Sequence, residues 1–189
     1  QLFLSKEQKE NFEAFEEVKS EKLPFWNEQL QKDEKEPALI SLQEAIDKKI
    51  LKNKAYAWSL YLAYNIFTQV GIPKEKIRLR QHWSDEKAFY ADDAWDLEIE
   101  LNSFGWTECC GVHDRTTYDL TQHAKFSKKD LSVRLDSGEK IVPDVIEIAF
   151  GVDRPFFALL DLAFFRRDDT KRTVLSLPSN IAPLKIGLF

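Results

Sequence analysis

Trp95-Asp96-Leu97-Glu98-Ile99-Glu100-Leu101, then Asn102-Ser103-Phe104-Gly105, then Trp106-Thr107-Glu108-Cys109-Cys110 is the stretch that decides the fold. Trp95, Leu97, Ile99 and Leu101 alternate with Asp96, Glu98 and Glu100, the two-residue period of a half-buried strand. The Asn-Ser-Phe-Gly turn sends the chain back, so Trp106 to Cys110 is predicted to pair with it as a second strand. Downstream, Val133–Leu135 and Lys140–Val142 flank Asp136-Ser137-Gly138-Glu139, a hairpin around a glycine-containing turn. Val145 to Phe150 reads as another, apolar strand, and Arg154 to Phe165 as a strongly hydrophobic helix. Strands joined by tight turns, with few crossover helices, imply an α+β fold: an antiparallel sheet with helices packed on it.

Upstream the pattern turns helical. Residues 5–36 are dominated by Lys, Glu and Gln. A helix is predicted from Ser5 to about Ser20, with Ser5 and Gln8 as a capping-box pair. Pro24 and Pro37 punctuate the next stretch, and Asp33-Glu34-Lys35-Glu36 reads as a solvated surface loop or disordered run. A short helix is predicted over Ser41–Leu51, then a richer one over Tyr56–Val70, closed by Gly71-Ile72-Pro73. The wide stripe of Tyr56, Trp58, Leu60, Tyr61, Tyr64 and Phe67 reads as a core-facing surface; the other reading is an aromatic face for RNA bases.

The chain has 189 residues, 43% of them hydrophobic and 13% aromatic, enough for one compact domain with room for a small subdomain. A net charge of −5 excludes gripping nucleic acid by the overall field, so any RNA contact needs a local patch. Cys109 and Cys110 are the only cysteines; on a strand they point to opposite faces, so a bridge would be strained and reduced thiols are expected. Reduced thiols suit a cytoplasmic protein, the expected location, and no 18-residue apolar run for a membrane span and no signal-peptide pattern are present. It contains no methionine and begins at Gln1, and so reads as an internal stretch of a longer chain. Part of an active site would then lie elsewhere.

The chemistry concentrates in two segments, Gly111–Leu120 and Val145–Arg154. A strand that stops at Gly151 and opens a helix presents unpaired N–H groups, and Arg154 in the first turn can reach phosphate or stack on a base. Taken alone, Gly-x-x-Arg is a weak signal, and Arg154 reads first as a surface arginine capping the sheet. Glu147 stands in an apolar strand, a costly place unless it meets a ligand ammonium, Mg²⁺ or a structural cation. Glu108 makes the same argument one strand earlier. Arg115, coming after the expected turn at Gly111, can bind a carboxylate or phosphate in bidentate fashion, with Tyr118-Asp119 orienting the loop. His82, His113 and His123 lack metal-site spacing, so no zinc site is expected, and no Ser/His/Asp or Cys/His nucleophile stands out. A polyphosphate, a metal ion and a small zwitterion held together point to nucleotide-dependent activation of an amino acid.

The ordered motifs resemble glycyl-tRNA synthetase of the archaeal and eukaryotic dimeric type. They are Arg80-Gln81-His82, Glu86, Tyr90-Ala91, Trp95-Asp96, Gly105-Trp106-x-Glu108, Gly111-x-x-Asp114-Arg115 and Tyr118-Asp119-Leu120. The series continues through Val145-Ile146-Glu147, Phe150-Gly151-Val152-Asp153-Arg154, Ala158-Leu159-Leu160, Leu177-Pro178, Ile181-Ala182-Pro183 and Lys185. The resemblance covers roughly residues 71–189; residues 1–70 match loosely, as a helical insertion region. It implies a class II synthetase core: catalytic-domain strands and loops over 71–177, the third class-defining motif near 145–165, and the start of an anticodon-binding domain at 178–189.

By this comparison Arg154 and Arg115 are catalytic. Arg154 lies against the ATP adenine and phosphate, and Arg115 where the family reads the glycine carboxylate and the phosphate region. Glu108 serves ATP and Mg²⁺. Glu147 holds the glycine ammonium and is a second candidate metal ligand. Ala149 takes the place of a serine in the family's Glu-Pro-Ser, here Glu147-Ile148-Ala149, and Phe89 stands where the family has histidine. The first two class II motifs are not found in residues 1–70, which leaves about half an active site. The implied partners are glycine, tRNA(Gly), the upstream half of the catalytic domain and a second copy in a homodimer. A non-catalytic accessory subunit that keeps the fold is the alternative.

Overall fold

The alternating stretch and its return form the two longest strands of the protein, in a computed structural model that describes residues 1–187. In chain order the elements begin with β1 (Leu2–Leu4), α1 (Lys6–Glu10), α2 (Phe15–Val18), β2 (Lys22–Trp26), α3 (Glu28–Lys32), β3 (Ala38–Ser41), α4 (Leu42–Asp47) and α5 (Lys54–Gln69). A short 3₁₀ turn at Lys74–Lys76 leads into β4 (Ile77–Gln81), β5 (Asp93–Leu101) and β6 (Gly105–Thr116). Then come α6 (Tyr118–Ser127), the hairpin of β7 (Val133–Arg134) and β8 (Lys140–Ile141), β9 (Asp144–Ala149), α7 (Asp153–Ala163), and a second small hairpin, β10 (Phe164–Arg166) with β11 (Thr173–Leu175).

Seven strands make one sheet in the order β1-β9-β6-β5-β4-β2-β3. Every neighbouring pair is antiparallel except β2 with β4. The expected α+β architecture is therefore present. Trp95, Leu97 and Ile99 are fully buried, with Tyr56, Leu60 and Phe67 of α5 in the same apolar cluster. This is the core-facing reading of the aromatic stripe. Asn53 caps α5 by accepting from the Tyr56 N–H at 2.8 Å, and the Tyr56 hydroxyl donates to the Val112 carbonyl at 2.6 Å, tying helix to sheet.

Three expectations for the first 70 residues are revised. The single helix over Ser5–Ser20 is two short ones: α1 keeps the Ser5/Gln8 capping box, but Asn11 ends it and the Phe12 ring turns onto Trp58, centroids 5.3 Å apart. Burying Phe12 on α5 outweighs continuing an exposed helix. The region also supplies strands β1, β2 and β3, which join the main sheet at its two sides. Pro24 punctuates nothing; it lies inside β2, opposite Leu39 of β3, and the ladder with β4 begins only at Phe25. A residue without an N–H is tolerated there because no second neighbour asks for it. The charge run at Asp33–Glu36 is a surface turn, closed by Lys35 N–H donating to the Leu30 carbonyl at 2.9 Å.

Gly71 ends α5 as expected, at φ +102°, and the chain near its other end lies against it: a Cβ here would sit 2.1 Å from Pro178 Cγ. Gly71→Ala is therefore expected to lower stability by about 1–3 kcal/mol, from left-handed strain and displacement of Pro178 together. Urea unfolding measures it, with Gly138→Ala, also at positive φ but in open space, as the strain-only comparison.

Candidate functional site

The face of the sheet opposite α5 is polar, and the cross-strand register lays it out in rows. Arg78, Glu98 and Glu108 oppose one another in the first row; Arg80, Asp96, Gly111 and Ala149 in the second; Ala94, His113 and Glu147 in the third. Directly opposed residues point to the same side, so these side chains share one surface. On β6 the step from Glu108 to Gly111 is three residues, because Cys109 has no partner on β5: Glu98 pairs with Glu108 and Leu97 with Cys110. This bulge brings Glu108 onto the same face as His113 and Arg115.

Cys109 and Cys110 are both free, as expected, and with the bulge at Cys109 both are buried. Burial pushes their thiols up to about 11 and about 12, respectively. Both are expected to resist iodoacetamide in the native protein at pH 8 and to be alkylated as the chain unfolds, so labelling across a urea series should track the loss of structure. Gly111 is not a turn; it lies inside β6. A Cβ there would be 3.2 Å from His113 Cε1 and 3.7 Å from Asp96 Oδ1, so the bare backbone lets those two side chains close over it.

Arg154 occupies the first turn of α7, as read from Gly151–Arg154. Its Nη1 donates to the Glu108 carbonyl at 2.9 Å and lies 3.2 Å from Glu108 Oε2. Both side chains are more than half exposed, on an open cleft of about 810 Å³ also lined by Cys109, Ala149, Gly151 and Asp153. Beyond the row of Gly111 and Ala149, Arg115 is held by Asp119 from the first turn of α6, lies 3.2 Å through Nη1 from Glu147 Oε2, and stacks 4.7 Å over the Tyr90 ring. The hydrogen bond to Asp119 holds the Arg115 guanidinium well above its ordinary range, and Asp119 is correspondingly held low. Tyr90 stacks in turn on Tyr118 at 5.4 Å, and Phe89, 84% exposed, meets both rings edge-on.

All five residues singled out from the sequence, Glu108, Arg115, Glu147, Ala149 and Arg154, thus belong to one end of the sheet. Each carboxylate is engaged by an arginine: Glu108 by Arg154 and Glu147 by Arg115. The surface can hold an anion at either arginine and a cation at either carboxylate.

Chain spacing did not group the histidines, but the fold does. His82 comes directly after β4, and its Nε2 is 2.8 Å from Asp96 Oδ2; the His113 ring stands 5.7 Å from the His82 ring at 71°. The hydrogen bond to Asp96 raises the His82 pKa, whereas burial, followed by the neighbouring His82, lowers that of His113. The usable signal was parity: His113 precedes Arg115 by two on one strand, and Asp96 belongs to the acidic side of the alternating stretch. Beside them Arg80 makes a two-pronged pair with Glu86, at 2.8 and 3.1 Å. Arg78 pairs with Glu98 at 2.6 Å, its guanidinium 3.9 Å from the Trp26 ring and 4.2 Å from the Trp106 ring.

Among the described residues no helix is long and apolar enough to cross a membrane. No family model matches the chain. Curated proteins do match it. The glycine–tRNA ligase of Methanococcus vannielii is 29% identical over an alignment of 275 residues, covering 100% of this chain and 47% of that protein. That of Methanococcus maripaludis is 28% identical with the same coverage, and that of Thermococcus gammatolerans 27% identical over 92% of this chain. The chain spans about half the length of these relatives. An alignment of 275 positions against 189 residues also means that the Methanococcus protein carries segments within this span that the chain lacks. The match takes in residues 1–70 as well as the motif-bearing part, and the resemblance read from the motifs holds: along its whole length this chain is similar to the archaeal glycine–tRNA ligases.

Proposed function

We propose that this chain forms one wall of a class II glycine-activating site, completed by the upstream half of the catalytic domain and working in the cytoplasm as part of a homodimeric synthetase that charges tRNA(Gly). The observation that carries this reading is the polar face of the sheet, where Arg154–Glu108 and Arg115–Glu147 flank the row of Gly111 and Ala149 in a chain similar throughout to glycine–tRNA ligases.

In this reading a glycine carboxylate oxygen attacks the α-phosphorus of ATP, pyrophosphate leaves, and the glycyl group passes from the adenylate to tRNA. Such chemistry asks the protein for position and charge neutralisation. Arg154, half-exposed on the open cleft, suits a phosphate or the adenine face. Glu108 beside it offers a carboxylate oxygen, a donor that fits Mg²⁺, which when bound supplies neutralising charge to the phosphates. Glu147 accepts the glycine ammonium and Arg115 its carboxylate. Ala149, opposite Gly111 in the row between them, contributes a methyl and no hydroxyl, so glycine is selected by exclusion of larger side chains.

Glycine-dependent ATP–pyrophosphate exchange tests the reading, with the chain alone and mixed with a polypeptide carrying the upstream half. Exchange is expected only in the mixture, and Arg154→Ala is expected to lower it by about 10²–10³-fold while the melting curve stays in place, because the side chain is 59% exposed. The accessory-subunit reading rests on Ile148 and Ala149, where the family has Pro-Ser. An assembled mixture without exchange decides in its favour.

A further inference from the structure

We propose that His82, Asp96 and His113 bind a single first-row divalent transition metal ion, of the zinc, cobalt, nickel or iron(II) class, at a site separate from the Glu108 position. Three segments far apart in sequence meet here: the residue after β4, the middle of β5 and the later part of β6. One donor atom from each lies within 4.8 Å of the other two. Two imidazoles and one carboxylate are a ligand set suited to such ions, and three protein ligands leave coordination positions open for water or a small molecule. Magnesium, which prefers oxygen donors, does not suit it.

Three further observations favour a ligand over simple packing. His113 Nε2 is buried with no hydrogen-bond partner, in a structure where buried polar groups are otherwise largely satisfied. The His113 ring reaches this place because residue 111 is glycine; a Cβ there would be 3.3 Å from that same Nε2. Arg80, with Nη1 4.0 Å from Asp96 Oδ2, is already engaged by Glu86 through both oxygens, and Arg115 by Asp119 and Glu147. Bonds of about 2.0–2.1 Å put donors roughly 3.3 Å apart in a tetrahedral site, so modest side-chain rotations close it.

The test uses the full chain, stripped with a chelator and titrated with Co²⁺ in the visible range. One equivalent is expected to bind, with d–d bands, displaced by Zn²⁺ and not by Mg²⁺. His113→Gln and Asp96→Asn are each expected to weaken binding by at least about 10–100-fold, while His123→Gln, on the exposed face of α6, leaves it unchanged. Wild-type binding by either of the first two variants overturns the site, as does loss in His123→Gln. Pulsed EPR of the wild-type chain loaded with Cu²⁺ gives a readout independent of any variant. Couplings from two imidazoles are expected, and fewer than two overturn the proposal.

Discussion

Lys9→Met is expected to lower the free energy of unfolding by about 3–5 kcal/mol, the largest loss of any single substitution of a charged residue in this chain. Lys9 lies on α1, but its ammonium is buried against the sheet, 2.6 Å from Asp114 Oδ2 on β6 and 3.1 Å from Asp144 Oδ2 on β9. Asn53 adds a hydrogen bond to Asp114 at 3.2 Å. Removing the cation leaves two carboxylates facing each other inside the protein with one amide between them. Methionine fills the same volume, so the loss reads the charge and not a cavity. Burial lowers the Lys9 pKa, but its bonds to Asp114 and Asp144 outweigh that and leave it above its ordinary 10.5. A raised folded value means the contribution is fully present below the unfolded pKa and disappears as pH climbs through the folded one, in the alkaline range. Urea denaturation at pH 8 checks the magnitude. Lys9→Met combined with Asp114→Asn and Asp144→Asn should recover most of it, since what costs is the unpaired charge. A cycle in which the triple variant is no more stable than Lys9→Met would show that the lysine stem, not its charge, holds α1 down.

The second large effect concerns Arg115. In the reassembled enzyme, Arg115→Lys is expected to lower glycine-dependent exchange by about 10²–10³-fold. A planar fork lets this one side chain meet Asp119 and Glu147 while lying 4.7 Å over Tyr90. A lysine is a point charge on a flexible stem: it can satisfy one carboxylate and loses the stack. The side chain is only 20% exposed, so thermal stability should fall slightly as well, and activity must be compared among folded samples. Glu147→Gln is the companion, expected to raise the KM for glycine more than it lowers kcat. If Arg115→Lys kept exchange within about threefold, Arg115 would be a strut for α6 and the carboxylate contact would have to come from elsewhere.

The parts of the fold read correctly from residues alone are those where one physical signal dominates. Trp95 to Leu101 alternates perfectly because one side meets α5 and the other is polar, and no competing interaction disturbs the period. Gly71 closes α5 because nothing else fits φ +102° so cheaply. The failures are places where a distant partner decides. Leu2–Leu4 and Lys22–Trp26 are too short to announce themselves, and become strands because β9 and β4 offer ladders to join. Gly111 looks like a turn, yet its small size serves a crossing of side chains that only the sheet reveals. Glu108 and Glu147 stood out because charge in apolar surroundings demands a reason, and Arg154 because it follows a strand that stops at a glycine and opens a helix. His82 and His113 did not, because the bulge at Cys109 and the pairing of β4, β5 and β6 bring them together, and neither is written in their spacing.

The position of β1 has a kinetic consequence. Leu2 to Leu4 lie beside Asp144 to Ile146 on the outer flank of β9, the strand that carries Glu147. That pairing joins Leu2 to Ile146 across most of the sequence, the kind of long-range contact that comes late in folding because its entropy is repaid last. Until it forms, β9 is a bare sheet edge next to Arg115 and Glu147, and bare edges recruit strands from other molecules. Trimming the first four residues should therefore leave the core helices able to form and yet make the chain aggregate during refolding. The few residues farthest in sequence from the site act as its guard against misassembly.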